Sequence, residues 1–321
     1  MTLEQLVTGI RSGDRSTLGR ALTLVESGLS ADKELATELL NELTSDCGKS
    51  IRIGITGVPG AGKSTFIDAF GSMLTAAGHK VAVLAVDPSS TISGGSILGD
   101  KTRMEQLAVD ENAFIRPSPS SGTLGGVARR TREGMLLCEA AGYDVVLIET
   151  VGIGQSETVA AGMVDFFMAL MITGAGDQLQ GIKRGLMELV DMVVINKADG
   201  DNLQKAKMAA SEYRQALHYL SSSAEVPVVT CSALQQTGLE LVWEKIIEHN
   251  KLNTASGELI KKRKQQQLKW MWDIVDAGLI DELKNNSTVK KLLPELEEKV
   301  LSGSLSATAA ARVLLSSWTE N

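Results

Sequence analysis

The chain has 321 residues, of which 43% are hydrophobic, and its formal net charge is −7 at pH 7. A chain of this length can form about two domains with substantial cores, and its acidic balance argues against general nucleic-acid binding. Its three cysteines, Cys47, Cys138 and Cys231, are odd in number and widely spaced. This usage excludes a disulfide framework or a zinc site and favours a reducing compartment.

No apolar run is long enough to span a bilayer, and residues 1–5 lack the basic start and apolar stretch of a signal peptide. We therefore expect a cytoplasmic protein that does not associate with membranes.

The first 48 residues contain no strand pattern and carry apolar residues at helical spacing. These apolar residues are Leu3, Leu6, Val7, Ile10, Leu18, Leu22 and Val25. The pattern predicts a small helical N-terminal extension over residues 1–48.

Apolar strand runs alternate with helical stretches across residues 49–252, and the strands begin near residues 51, 80, 113, 144, 166, 192 and 226. This alternation predicts an α/β domain with a mainly parallel sheet covered by helices. Because the carboxyl ends of parallel strands meet at one edge of a sheet, motifs that follow these strands should share one crevice.

The first such motif follows the strand at 51–56 and reads Gly-Val-Pro-Gly-Ala-Gly-Lys-Ser. It is a phosphate-binding P-loop, G-x-x-x-x-G-K-S, in its required setting between a strand and a helix. Its glycines let the backbone wrap around phosphate oxygens, Lys63 would reach the β- and γ-phosphates, and the Ser64 hydroxyl would bind Mg²⁺. The predicted phosphate-binding residues are Gly57, Val58, Pro59, Gly60, Ala61, Gly62, Lys63, Ser64 and Thr65.

Two later motifs indicate which base the site recognises. Asn196-Lys197-Ala198-Asp199 follows the strand at 192–195. The Asp199 carboxylate can accept the paired N1–H and 2-amino donors of guanine, Asn196 can tie neighbouring loops together, and the aliphatic stem of Lys197 can cover the purine. After the next strand, Ser232, Ala233 and Leu234 would back the guanine. Each string alone could be a polar turn, but their order resembles the GTPase superfamily, so we predict GTP over ATP.

Carboxylates after two further strands are candidate groups around the metal. Asp87 and Glu149 each end an apolar strand, and Asp100 lies in a Gly-rich loop. We interpret Ser64 as a direct Mg²⁺ ligand and the three carboxylates as ligands or water-mediated partners. Asp100 could instead cap a helix, because residues 101–107 carry a helical pattern.

The remaining catalytic candidates follow Glu149. Gly152 can offer a backbone N–H to the γ-phosphate, and Gln155 is a candidate for positioning the attacking water. With Lys63, Asp87 and Glu149 they complete the predicted catalytic set. No arginine finger can be assigned, so we expect slow hydrolysis that a partner accelerates.

Residues 253–321 return to a helical pattern, with an apolar stripe at Leu268, Trp272, Val275, Leu279 and Leu283. The stripe could pack on the chain's own α/β domain or form a dimer interface.

Segments between these motifs are similar to those of the methylmalonyl-CoA mutase-associated GTPases, formerly labelled lysine/arginine/ornithine transport ATPases. The similar segments are residues 86–90, 94–104, 121–126, 149–157, 176–188 and 264–272. Thr91 departs from the family pattern, which has Pro after Asp-Pro-Ser-Ser.

This resemblance implies a metallochaperone that binds GTP, GDP and Mg²⁺ and assists an adenosylcobalamin-dependent acyl-CoA mutase, with methylmalonyl-CoA mutase as the default partner. It also implies a further switch in residues 174–188 that contacts the mutase, although the residues alone equally fit an ordinary βα-loop, and a homodimer formed through residues 253–321. A nickel-inserting GTPase is an alternative, although no His-rich or Cys/His-rich segment is visible. A P-loop kinase or transport ATPase is a further alternative, but the motif at Asn196 to Asp199 argues against it.

Overall fold

The fold is described from a computed structural model that covers residues 1–86, 104–117, 124–150, 156–174, 184–220 and 226–319. The chain divides into two compact units, Met1–Lys264 and Gln265–Asn321.

The first unit is organised around a seven-stranded sheet with the order β3-β2-β4-β1-β5-β6-β7, in which every strand pairing is parallel. The strands are β1 Ile51–Gly57, β2 Val81–Val86, β3 Ala113–Arg116, β4 Val145–Thr150, β5 Phe166–Met171, β6 Met192–Ile195 and β7 Val228–Thr230. Strands β2, β4, β5 and β6 are buried along their full length, as expected for a sheet covered on both faces. The predicted α/β fold and the seven strand positions are therefore confirmed.

Helices connect these strands and cover the sheet. Within the described residues they are α4 Lys63–Ala76, α5 Leu124–Ala140, α6 Ser156–Ala161, α7 Arg184–Met187, α8 Leu203–Leu220 and α9 Leu239–Ala255. The next helix, α10 Glu258–Asn285, begins in the first unit and ends in the second. Short 3₁₀ turns occupy Thr44–Asp46, Leu107–Val109 and Gly200–Asn202.

The predicted helix over residues 101–107 is wrong in its described part, because residues 104–106 are not helical and Leu107–Val109 is a 3₁₀ turn. Tertiary contacts explain the difference. The Asp68 carboxylate accepts a hydrogen bond from the Leu107 N–H at 2.8 Å, and the buried Leu107 side chain packs against Gly71, where a Cβ would come within 2.6 Å of it. Packing on α4 thus overrides a local helical preference.

The predicted N-terminal helices are present as α1 Leu3–Arg11, α2 Arg15–Glu26 and α3 Ser30–Leu43. Thr2 and Gln5 form a capping box at α1, and the Asp14 carboxylate caps α2 by accepting from the Thr17 N–H. Their buried apolar side chains belong to the same core as the sheet and α5.

A buried polar cluster lies at the amino edge of the sheet. Arg52 on β1 donates to both carboxylate oxygens of Glu139 at 2.7 and 2.9 Å. Asp165, next to β5, accepts from the Arg52 N–H at 2.9 Å and from the Arg263 guanidinium at 2.8 and 2.6 Å. Arg263 also donates to the Ser50 carbonyl at 2.6 Å. The first turns of α10 are thereby attached to β1 and β5.

The second unit contains the remainder of α10 together with α11 Ser287–Leu301 and α12 Ala307–Thr319. Asn286 caps α11 by accepting from the N–H groups of Thr288 and Val289. The predicted apolar stripe lies on α10, where Leu268, Trp272, Val275 and Leu279 are exposed. None of the helices in the described ranges is long and apolar enough to cross a membrane.

Candidate nucleotide-binding site

The loop between β1 and α4 is shaped by three glycines with positive φ. Gly57 has φ +155°, and a Cβ there would lie 2.2 Å from the Leu170 carbonyl oxygen. Gly60 and Gly62 have φ +78° and +84° and carry the chain into α4. Only glycine adopts these conformations without strain, and the first N–H groups of α4 are left at the carboxyl edge of the sheet. This is the backbone arrangement that binds phosphate groups.

Lys63 and Ser64 open α4 beside this loop. The Lys63 ammonium donates to the Gly57 carbonyl at 3.0 Å. Burial lowers the pKa of Lys63, and the charge of Glu149 acts in the opposite direction. Ser64 Oγ lies 3.5 Å from Glu149 Oε1. The structure therefore brings together two of the four residues predicted to surround Mg²⁺.

Glu149 is held at the centre of the sheet. It is 4% exposed and lies in register with Ile55 of β1 on one side and Ala85 of β2 on the other. A hydroxyl and a carboxylate are both oxygen donors, which is the ligand type that hard divalent cations prefer. The other predicted metal or catalytic residues, Asp87, Asp100, Gly152 and Gln155, lie outside the described residues.

Asn196 connects three loops at the same edge. It is 2% exposed, and its side-chain amide donates to the Ala61 carbonyl of the P-loop at 2.8 Å. Its Oδ1 accepts from the Ala233 N–H at 3.1 Å. The loop that follows β6 is thereby tied both to the P-loop and to the loop that follows β7.

Asp199 and Ser232 are also brought together. The Ser232 hydroxyl donates to the Asp199 carboxylate and accepts from the Gln235 N–H at 3.1 Å. Lys197 is exposed, with φ +59°, and its Cε lies 3.8 Å from where a Gly62 Cβ would be. Leu234 is 80% exposed. All the predicted base-recognition residues are therefore near one another, on loops that follow β6 and β7.

Two residues of this edge were not anticipated from the sequence. Asn202 donates from its amide to the Lys197 carbonyl at 2.6 Å and accepts from the Thr173 hydroxyl at 2.7 Å. No local pattern distinguishes either residue, because their contact joins chain segments 29 residues apart. For Asn202, its position three residues after Asp199 was the one available signal, and Thr173 had none.

Comparisons with known proteins agree with this geometry. The family model described as methylmalonyl-CoA mutase-associated GTPase MeaB matches residues 18–288. GTPase ArgK of Escherichia coli is 49% identical over 316 residues, which cover 98% of this chain and 96% of that protein. The mouse protein named methylmalonic aciduria type A homolog, mitochondrial, is 48% identical over 326 residues, which cover 98% of this chain and 79% of that protein.

Among solved structures, one titled as a LAO/AO transport system kinase matches with a TM-score of 0.77 and 42% identity, covering 99% of this chain and 98% of that chain. The resemblance inferred from the sequence is thus confirmed over most of the chain. The chain belongs to the methylmalonyl-CoA mutase-associated GTPase family MeaB, and it is a GTPase.

Proposed function

We propose that this GTPase is a metallochaperone that assists adenosylcobalamin loading and protection of an acyl-CoA mutase, with methylmalonyl-CoA mutase as the first partner to test. The family match over residues 18–288 carries the proposal, because that family is described by its association with the mutase. The name of the mouse relative, methylmalonic aciduria type A homolog, also refers to the methylmalonyl group.

In this proposal the backbone of residues 57–65 binds the nucleotide phosphates. Lys63 exchanges its bond to the Gly57 carbonyl for the β- and γ-phosphates, whose negative charge favours the protonated ammonium despite its burial. Ser64 and Glu149, with Asp87 and Asp100, are the proposed Mg²⁺ residues. When bound, Mg²⁺ neutralises charge on the phosphate oxygens.

Base recognition is assigned to the loops after β6 and β7. Asp199 accepts the two guanine donors, Asn196 holds the P-loop against both loops, and Lys197 covers the base. Ser232, Ala233 and Leu234 support it from the other loop. Gly152 and Gln155 are the proposed groups for sensing the γ-phosphate and placing the water.

The C-terminal helices are proposed to form a homodimer. The exposed side chains of Leu268, Trp272, Val275 and Leu279 lie at helical spacing on α10 and offer an apolar face to a second copy. Sedimentation at micromolar concentration should show a dimer, and a Trp272→Asp variant should shift it towards monomer. A wild-type monomer would contradict this part of the proposal.

The proposed domains are a helical extension over residues 1–48, a GTPase domain over residues 49–252 and a dimerisation region over residues 253–321. The three free cysteines of the chain support a cytoplasmic location.

The chaperone role is tested by loading adenosylcobalamin into cofactor-free mutase, followed by the absorbance of bound cofactor. Parallel reactions contain the chain with GTP, GDP or a non-hydrolysable GTP analogue, and a Lys63→Ala variant is the matched control. We expect the rate or extent of loading to depend on the nucleotide and on Lys63. Loading that is the same with and without the chain would contradict the proposal.

A further inference from the structure

Asn202 uses both ends of its side-chain amide to join two loops. It lies in the 3₁₀ turn Gly200–Asn202, immediately before α8. Its Nδ2 donates to the Lys197 carbonyl at 2.6 Å, and its Oδ1 accepts from the Thr173 hydroxyl at 2.7 Å. A carbonyl oxygen can only accept, so the amide orientation is determined by chemistry and the Thr173 hydroxyl must be the donor.

The carbonyl that Asn202 holds belongs to a residue in an unfavourable conformation. Lys197 has φ +59°, in the left-handed region that side chains with a Cβ rarely adopt. Such a conformation persists only where surrounding contacts hold it. Asn202 contacts the carbonyl of Lys197 on one side, and the next N–H, that of Ala198, donates to the Cys231 carbonyl at 2.9 Å on the other.

The left-handed residue lies between Asn196 and Asp199, two of the side chains assigned to base recognition. Asn196 precedes Lys197 and reaches the P-loop carbonyl of Ala61, and Asp199 follows it and accepts from Ser232. A change in the backbone at Lys197 would rotate the chain between them. The position of the Asp199 carboxylate relative to the P-loop therefore depends on this turn.

Thr173 attaches the same loop to the end of β5. It lies two residues after Met171, whose carbonyl accepts from the Asn196 N–H at 2.8 Å. The carboxyl end of β5 and the residues that follow it therefore contact the loop after β6 twice, through the Met171–Asn196 backbone bond and through the Thr173–Asn202 bond.

We propose that Asn202 is a positioning residue for guanine recognition, which places the Asp199 carboxylate by holding the left-handed turn at Lys197. This inference rests on the proposed nucleotide site. Asn202 acts through the backbone of Lys197 and through Thr173, without contacting the base itself.

The test compares affinities for GDP and IDP, since inosine lacks the 2-amino group that pairs with Asp199. In Asn202→Ala we expect GDP affinity to fall about tenfold and the preference for GDP over IDP to shrink. Both changes follow because a displaced Asp199 loses its charge-assisted bond to the 2-amino group. Thr173→Val should give a smaller effect in the same direction, about threefold, because it removes one of the two bonds of Asn202. Asn112→Ala, at an exposed asparagine before β3, is the matched control and should leave both affinities unchanged.

A double-mutant cycle separates positioning from general destabilisation. Glycine adopts positive φ freely, so in a Lys197→Gly background the Asn202→Ala change should lose most of its effect on the GDP-to-IDP preference. A lowered melting temperature with an unchanged preference in Asn202→Ala would overturn the inference, as would an equal effect in both backgrounds. The affinity of the wild-type chain for ADP is measured as well. If wild type did not prefer GDP over ADP, the proposed nucleotide site itself would fall, and this outcome is distinct from an unchanged GDP-to-IDP preference in Asn202→Ala.

Discussion

Glu133 and Glu139 lie on the same helix, α5, in opposite electrostatic environments. Burial of Glu133 raises the pKa of its carboxyl to about 7, and the nearby Arg129 and Arg130 offset only part of this effect. Burial would also raise the pKa of Glu139, but hydrogen bonds and charge from Arg52 outweigh it and hold that pKa below its usual value. The ionised Glu133 carboxylate therefore lowers the stability of the folded chain, whereas the ionised Glu139 carboxylate raises it.

The pH dependence of the Glu133 effect follows from linkage. Its folded pKa of about 7 lies above the usual 4.5, so between these pH values the folded state binds more protons, and stability falls as pH rises. We expect Glu133→Gln to be more stable than wild type at pH 8, by about 1–3 kcal/mol, and nearly equal at pH 4.5. Urea unfolding at both pH values measures this. Equal stability of the two proteins at pH 8 would show that the carboxylate is not penalised.

At the proposed base site, an Asp199→Asn variant exchanges a carboxylate oxygen for an amide donor. Guanine offers a 2-amino donor at this edge, whereas xanthine offers a 2-oxo acceptor, so the amide pairs better with xanthine. We expect the preference to move from guanosine towards xanthosine nucleotides by at least about tenfold. An unchanged preference would remove Asp199 from base recognition.

At the scale of elements, the amino-edge cluster connects segments that are distant in sequence. Glu139 at the end of α5 accepts from Arg52 on β1, and Arg263 on α10 donates to Asp165 beside β5. Both ion pairs are nearly buried. Removing one partner leaves an unpaired charge in a low-dielectric environment, which is far more costly than the net contribution of the intact pair.

We therefore expect Glu139→Gln to destabilise the first unit by about 3 kcal/mol, because the Arg52 guanidinium loses its counter-charge. Glu240→Gln, on an exposed position of α9, is the control and should stay within about 0.5 kcal/mol of wild type. Denaturant unfolding measures both. A Glu139→Gln effect no larger than that of the control would show that the pair is dispensable.

The elements that could be predicted from the sequence are those with a local pattern. Buried strands such as β4 and β6 appear as continuous apolar runs, and the P-loop and Asn196–Asp199 follow such runs directly. Contacts between distant segments have no such pattern. The Arg263 bond to Gly48 joins residues 215 apart, and the Asn202–Thr173 bond and the Leu107 contact with Gly71 likewise depend on the folded chain.

At the scale of the whole molecule, the parallel sheet gathers the candidate site at one edge and the buried ion pairs at the other. All strands end at the same edge, so Glu149 near the end of β4 meets the loops after β1, β6 and β7 there, although these residues are spread from 57 to 234. The amino edge attaches the start of α10, the helix that continues into the second unit. The loops of the candidate site and the start of the proposed dimerisation helix are thus both connected to β1 and β5.

We propose that this GTPase acts on an adenosylcobalamin-dependent acyl-CoA mutase through a guanine-specific site. The most direct test is the rate of GTP hydrolysis with and without the mutase, with ATP as the control nucleotide. We expect a slow, GTP-specific rate that the mutase raises. A GTP-specific rate indifferent to the mutase would contradict the proposed partnership, and turnover of ATP in preference to GTP would contradict the base site.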